Sequence, residues 1–412
     1  MSDDNSGYNA GPSEGGGFTE TTHVGWFERL KQAIGGVIAG LIAIPVAMGV
    51  LFWNEGRAVT TSRSLSEGSG LVMTLPADKV DAVNENKLIH VGGNLALPGP
   101  VLDTDFGVRT PSVRLIRKVE MYQWKEESKS EKRTNVGGSQ DTVTTYEYVR
   151  AWSDKPIDSS KFKRPDGRAN PPMRFQGRDF TVPQGKLGAF TVAGATLGQL
   201  GGGEALPVAA DRQADLRTAL KSNAVHVVDG KIYLGVEPAQ PRIGDLRVSF
   251  EKVDAPQVSV IGRQAGGGFG SYQTKAGDSL LMIEKGLVPP AQMFKHAQDA
   301  NTTLTWILRG VGAVAMFVGF GLIFRPLGVL ADVLPILGDV VRMGTGFIAF
   351  LLTAVFSTLT IAIAWFYYRP LVAIIMLVIG GGITAGLIML GRKRKAARMG
   401  GMVPAGAGPI RR

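Results

Sequence analysis

Cysteine is absent from all 412 residues, which excludes disulfides, thiolate metal sites and a cysteine nucleophile. That absence does not settle the compartment, because cysteine-free chains occur on either side of a membrane. Histidine is nearly as scarce. The four, His23, His90, His226 and His296, are scattered, with no HExxH and no acid at metal-ligand spacing, so neither a metal nor another cofactor is expected. Glycine clusters at 201–203 and 266–268 lack both the GxGxxG fingerprint and the Gly-Lys-Ser/Thr of a phosphate loop, and are expected to be loops. Negative charge is missing from the C-terminal end, where seven Lys/Arg and no acid follow Gly391. Much of the formal charge of +10 therefore sits beside an apolar run. That placement points to a membrane orientation signal, not a nucleic-acid groove, and no nucleic-acid partner is expected.

What is present in quantity is long uncharged sequence. Residues 343–368 form a run of 26 without a charge, and 370–391 another of 22. A bilayer core of about 30 Å needs roughly 20 helical residues, so both are long enough to span. The run 310–324 is shorter, at 15 residues, and is completed by 304–308 with Arg309 snorkelling to an interface. Near the N-terminus, 32–54 is a fourth uncharged run of 23 residues. It lies too far from Met1, behind an acidic arm, to be a secretory signal peptide, and is expected to be retained. Trp26, Phe27, Arg29 and Lys31 precede it as an interfacial anchor.

The expected organisation is a disordered arm at 1–24, a first span with its anchor at 25–54, a large domain at 55–301, three further spans within 302–391, and a basic tail at 392–412. Counting basic residues near span ends places both termini and the connector 325–342 in the cytoplasm and the large domain outside it. That domain is rich in Val, Ile, Thr and aromatics, with strands expected at 87–95, 112–124, 142–152, 245–253 and 257–264. A tight hairpin is expected around Asp229-Gly230, one helix at 208–221, and an exposed hairpin tip at 125–140. The fold class is a polytopic α-helical membrane protein of four spans with a large β-rich α+β extracytoplasmic domain inserted between the first and second.

Three groups of residues stand out. Asn54, Glu55 and Arg57 leave the first span on the face where Tyr367, Tyr368 and Arg369 join the third span to the fourth. A carboxylate at the headgroup boundary is costly unless paired, so Glu55 is expected to pair with Arg369. The group is either an interfacial anchor or the mouth of a pore or lipid-headgroup site. In the connector, apolar residues recur at helical steps while Asp332 and Asp339 fall one heptad apart, between Arg325 and Arg342. Such a segment lies in the membrane interface or, as a re-entrant element, lines a pore. Gly36, Gly40, Gly312, Gly382 and Gly386 supply the small-residue steps at which membrane helices pack closely.

Gly277-Asp278-Ser279-Leu280 matches the opening block of the GDSL hydrolases, but the sole later histidine, His296, has Met293 where that family needs an Asp. Serine catalysis is therefore not expected. Taken together, Asn54-Glu55-Gly56-Arg57-Ala58, Lys87-Leu88-Ile89-His90-Val91, Val119-Glu120-Met121-Tyr122-Gln123-Trp124, Gly244-Asp245-Leu246-Arg247-Val248-Ser249-Phe250 and Tyr368-Arg369-Pro370 resemble the LUMA family, also called the transmembrane protein 43 family. The string Thr274-Lys275-Ala276-Gly277-Asp278-Ser279-Leu280-Leu281 fits it too.

The resemblance implies four spans, cytoplasmic termini and a lumenal or periplasmic domain. It also implies self-association and the scaffolding of partners, emerin and lamins for animal members, with an ion-channel activity as another proposal for the family. The cysteine-free, glycine-rich composition suggests a bacterial member. The cytoplasmic membrane is then the expected location, and the endoplasmic reticulum or inner nuclear membrane if the source is eukaryotic. The leading expectation is a non-enzymatic, self-associating scaffold that touches membrane lipids and presents its β-rich domain to partner proteins. An oligomeric cation channel and a protein that modifies lipid headgroups are the alternatives.

Overall fold

The computed structural model describes residues 17–376 and, beyond them, 378, 379, 382, 386 and 389; residues 1–16 and the basic tail 392–412 lie outside the described residues. The chain divides into two compact units. One comprises residues up to Gly35, Thr60–Thr302 and Arg325–Gly344; the other comprises Gly36–Val59, Thr303–Phe324 and residues from Thr345 on.

The first unit is β-rich. Its main elements in chain order are β1 (Phe18–Val24), the two ends of a long helix α1 (Trp26–Leu71), β2 (Leu88–Ala96), β3 (Arg114–Thr134), β4 (Gln140–Ser153), β5 (Gln184–Leu187), β6 (Phe190–Ala193), helix α2 (Gln213–Leu220), β7 (Val225–Val228), β8 (Lys231–Leu234), β9 (Leu246–Val253), β10 (Gln257–Ala265) and β11 (Met282–Lys285). One sheet runs β1-β4-β3-β9-β8-β7, and another contains the run β11-β10-β2-β5-β6, all antiparallel. Val119, Met121, Ile232, Val248 and Phe250 from the first share one buried core with Ile89, Val91, Leu187, Phe190, Val258 and Val260 from the second. Alternation explains this. Along β3 the buried positions fall at every second residue from Leu115 to Gln123, so one face of the strand packs inward. The expected hairpin is present, with Asp229 at φ 51° and Gly230 at φ 71°, the pair of positive angles that a two-residue turn demands.

Two expectations are corrected. Residues 125–134 continue β3, paired from Lys125↔Val149 to Thr134↔Gln140, so the hairpin tip is confined to 135–139. The partner strand satisfies the backbone on one side, while Lys125–Glu127 at 2.8 Å and Lys129–Glu131 at 3.0 Å pair the charges along the exposed face. At about 3.3 Å per residue this 21-residue strand is about 70 Å long. The second correction is β1. Residues 18–24, expected to be disordered, pair with β4 from Phe18↔Tyr146 to Val24↔Gln140, with Phe18 stacked on Tyr146 at 4.9 Å.

Helix α1 has 46 residues and continues well past the apolar run. Its last turns belong to the β-rich unit. Ser64 bonds to Thr274, Thr61 donates to Asp278 at 2.6 Å, and Glu67 accepts the N–H groups of Lys275 and Ala276. Helix α3 (Pro290–Ala331) begins at a proline that needs no N–H donor, and Met293 and Phe294 join a small core with Leu65, Leu88, Ile261 and Leu280. The connector is not a separate element. It is the end of α3, a break at 332–334, and the start of helix α4 (Pro335–Tyr368).

The second unit is helical. Ala47 and Leu51 of α1, Met316 and Phe320 of α3, and Ala349 of α4 form its core, with Phe320 packed on Phe356 at 5.5 Å. A Cβ on Gly40 would stand 2.5 Å from the carbonyl oxygen of Gly319, and one on Gly312 2.6 Å from Leu51, so these glycines let α1 and α3 approach closely; Gly36 faces Leu322 at 3.6 Å. Among the described residues three helices are long and apolar enough to cross a membrane. Of the fourth run, 370–376 is helical and the remainder is described only in part.

Candidate functional site at the polar end of the helical unit

Where the apolar run of α1 ends, the helix places two polar side chains in succession on its packed surface. Asn54 and Glu55 are almost wholly buried. A carboxylate withdrawn from water is tolerated only with opposite charge and hydrogen bonds around it. Arg309 of α3 supplies both, donating from Nε to Oε1 at 2.6 Å and from Nη2 to Oε2 at 2.9 Å. The indole Nε1 of Trp365 in α4 donates to Oε2 at 2.9 Å. The guanidinium in turn lies over the ring of Trp306 at 4.6 Å and near that of Trp365 at 6.0 Å.

Asn54 extends the network. Its Nδ2 donates to the carbonyl of Thr305 at 3.1 Å, and its Oδ1 accepts from Arg57 Nη2 at 3.3 Å, which also donates to Thr305 Oγ1 at 3.0 Å. Beside it the lone glycine of this segment has a purpose: a Cβ on Gly56 would stand 2.5 Å from Tyr368 Cζ, so only glycine lets that ring lie against the helix. Phe52 packs on Tyr367 at 5.8 Å and on Tyr368 at 5.3 Å.

The structure therefore brings Asn54, Glu55, Arg57, Tyr367 and Tyr368 together but corrects the expected ion pair. Glu55 pairs with Arg309, not Arg369, because Arg309 reaches it in bidentate geometry and closes both carboxylate oxygens. Arg309 is correspondingly buried in the pair and does not snorkel. The guanidinium of Arg369 takes no partner among the described residues; its backbone N–H donates to Trp365 at 2.7 Å. Arg309, Trp306, Thr305 and Trp365 were not foreseen as members. Their one signal is spacing, since Trp306 and Arg309 are one helical turn apart, as are Trp365 and Tyr368.

The connector residues form a second cluster, within the β-rich unit. Asp332 is fully buried and accepts from Arg29 Nη2 at 2.5 Å and from Arg342 Nη1 at 2.5 Å; Arg342 Nη2 also donates to Asp339 at 2.6 Å. Arg325 is exposed and stands apart from this cluster. The hairpin tip closes onto the same place. Arg29 donates to the carbonyl of Gly138, the N–H of Gly137 donates to the carbonyl of Val333 at 3.1 Å, and Trp26 Nε1 donates to that of Val329 at 2.9 Å. Gly138 has φ +82°, and a side chain there would run into the ring of Trp26. Segments that the count of basic residues assigns to opposite membrane faces are thus hydrogen-bonded to one another.

Gly382 and Gly386 meet open space among the described residues. Ser279 donates to Gln273 at 2.7 Å, and His296 bonds to Glu284 at 3.0 Å, so the hydrolase-like block is not assembled with a histidine. Among the described residues no cluster of His, Asp and Glu is arranged to hold a metal.

Comparison with known proteins agrees with the motifs. A family model described as transmembrane protein 43 matches residues 121–370. Mouse transmembrane protein 43 is 33% identical over 369 residues, covering 86% of this chain and 89% of the mouse protein. The human protein is 33% identical over 390 residues, covering 91% and 94%, and a Drosophila melanogaster homolog is 27% identical over 353 residues, covering 83% and 91%. No solved structure matches. With a third of its residues shared along nearly its whole length, and with apolar helices long enough to span a bilayer, this chain is a membrane protein of the transmembrane protein 43 family.

Proposed function

We propose that the chain is a non-enzymatic membrane organiser that self-associates and offers its β-rich unit to partner proteins. The observation that carries this reading is the mutual saturation of its buried ions. Glu55 is closed by Arg309 and Trp365, and Asp332 by Arg29 and Arg342. Groups so closed hold elements together and do not stand ready for proton transfer or cation passage. Asp332 and Asp339, the acids a cation pathway would use, both sit against Arg342. The two-sheet core supplies a rigid platform for partner recognition.

Gly36, Gly40 and Gly312 serve contacts within the chain, whereas Gly382 and Gly386, one helical turn apart with nothing within 4 Å among the described residues, are the small-residue step we propose for a second copy. Because the chain has no cysteine, Gly382→Cys or Gly386→Cys reports on such a contact without background. Oxidation in native membranes should yield a cross-linked dimer, and capture from the same membranes should return proteins bound to the β-rich unit. Monomers alone, with nothing bound, overturn the proposal. The basic residues support an orientation with both termini and the connector in the cytoplasm, and the bonds of the hairpin tip to Arg29 and Val333 support 135–139 on that face too, so the extracytoplasmic part we propose is 160–280. Protease added to that face of sealed vesicles should spare 160–280, and cleavage there refutes the orientation.

A further inference from the structure

The polar end of the helical unit holds one carboxylate, Glu55, and three guanidiniums, those of Arg57, Arg309 and Arg369. Arg309 is matched to Glu55, and Arg57 is engaged with Asn54 and Thr305. Arg369 is different. It is half-buried, follows directly on two tyrosines, and its guanidinium meets no carboxylate, carbonyl or hydroxyl among the described residues. A permanently charged group at the end of an apolar helix is costly without an anion, and an arginine fork is shaped for two oxygens of one.

The exposed rings at this end of the helical unit have the character of a membrane boundary. Tyr367, Trp306 and Trp53 are 73%, 64% and 59% exposed, although each belongs to a helix that is otherwise apolar in that stretch. Phe52 packs on both tyrosines, and the Tyr368 ring lies against Gly56, which brings this ledge to the end of the apolar run of α1. Indoles and phenols of this kind sit at headgroup level with their apolar bodies toward the acyl chains. The anion available at that depth is lipid phosphate.

We propose that Arg369, on the ledge of Tyr367 and Tyr368, binds the phosphate of an anionic phospholipid headgroup. The phosphate oxygens accept from the guanidinium, the hydroxyl of the exposed Tyr367 can donate a further bond, and the acyl chains run down the apolar surface of the spans. This site is independent of the organiser reading, since it needs neither a second copy nor a partner protein.

The test uses the full chain, purified in detergent, stripped of lipid, and titrated with phosphatidylglycerol, phosphatidylcholine or sodium phosphate, with bound lipid counted by native mass spectrometry. Phosphatidylglycerol should bind more tightly than phosphatidylcholine, and sodium phosphate alone should neither bind comparably nor displace it. Arg369→Gln should weaken phosphatidylglycerol about 10- to 100-fold, the equilibrium factor for losing a charge-assisted hydrogen-bonded contact. Arg325→Gln should leave binding unchanged. Should Arg369→Gln not fold, Arg369→Lys carries the same test with a loss of several-fold, because a lysine keeps the charge without the fork. Wild-type affinity in the variant that folds, equal binding of the two lipids, or displacement by sodium phosphate at matching concentration each overturns the proposal.

Discussion

The exchange of Arg369 for Arg309 as the partner of Glu55 makes a quantitative prediction. Glu55 receives three hydrogen bonds, two from Arg309 and one from Trp365, on a carboxylate whose side chain is 3% exposed, against 17% for Arg309. Removing one member of such a buried pair leaves the other charged and desolvated, a loss of about 3–5 kcal/mol, whereas replacing both by apolar side chains of similar volume is often neutral or stabilising. Glu55→Met and Arg309→Met should therefore each lower unfolding stability by about 3–5 kcal/mol. The double variant should recover most of that, giving a coupling energy of about 2 kcal/mol or more. Denaturant or thermal unfolding of the full chain in lipid nanodiscs measures all three, with Glu55→Met/Arg369→Met as the matching cycle for the pair suggested by sequence position. Additive losses at 55 and 309, or a larger coupling between 55 and 369, would refute the reasoning.

Three further outcomes follow from other contacts. Gly40→Val should cost about 1–3 kcal/mol by pushing α1 away from the Gly319 carbonyl, while Gly49→Ala, whose added Cβ meets nothing within 4 Å among the described residues, should not destabilise; unfolding of both variants distinguishes them. Asp332→Asn leaves Arg29 and Arg342 without their shared carboxylate and should lower stability by about 3 kcal/mol. Hydrogen exchange should then quicken at 26–31 and 135–141, and unchanged protection there would show that the clasp does not hold the hairpin tip. Burial pushes the pKa of His90 below the ordinary histidine value, opposed by the bond its Nε2 donates to the Val288 carbonyl at 3.0 Å. The folded state thus favours the neutral ring and the unfolded chain takes up the proton more readily, so this contribution is complete above about pH 6.5 and is lost as pH falls below it. The melting temperature should drop between pH 7.5 and 5.5, and His90→Gln should shrink that drop; an identical profile in the variant counts against it.

Much of the fold was legible because its signals are local. Uncharged runs of 23 and 26 residues mark membrane-length helices whatever surrounds them, and Asp229-Gly230 marks a turn through the angles those two residues accept. The β2 and β10 regions were visible through their β-branched composition. Three features were not. The charged stretch 125–134 has the composition of a loop, and becomes strand only because β4 supplies a hydrogen-bonding edge along its length. Residues 18–24 likewise gain their order from β4. The continuation of α1 to Leu71 rests on contacts with residues more than 200 positions away, such as Asp278 and Thr274.

The candidate site divides in the same way. Sequence alone determined that Asn54, Glu55, Arg57, Tyr367, Tyr368 and Arg369 stand where apolar runs end, since charge and polarity mark the limits of a hydrophobic run. It also determined that the carboxylate must have a cation. Which cation was decided only in three dimensions, because several arginines lie at span ends and the choice depends on which fork meets both oxygens at hydrogen-bonding distance. Helix packing made that choice. With the backbone of α1 brought against α3 at Gly40 and Gly319, Arg309 closes both oxygens of Glu55, and Arg369 keeps its charge for another partner.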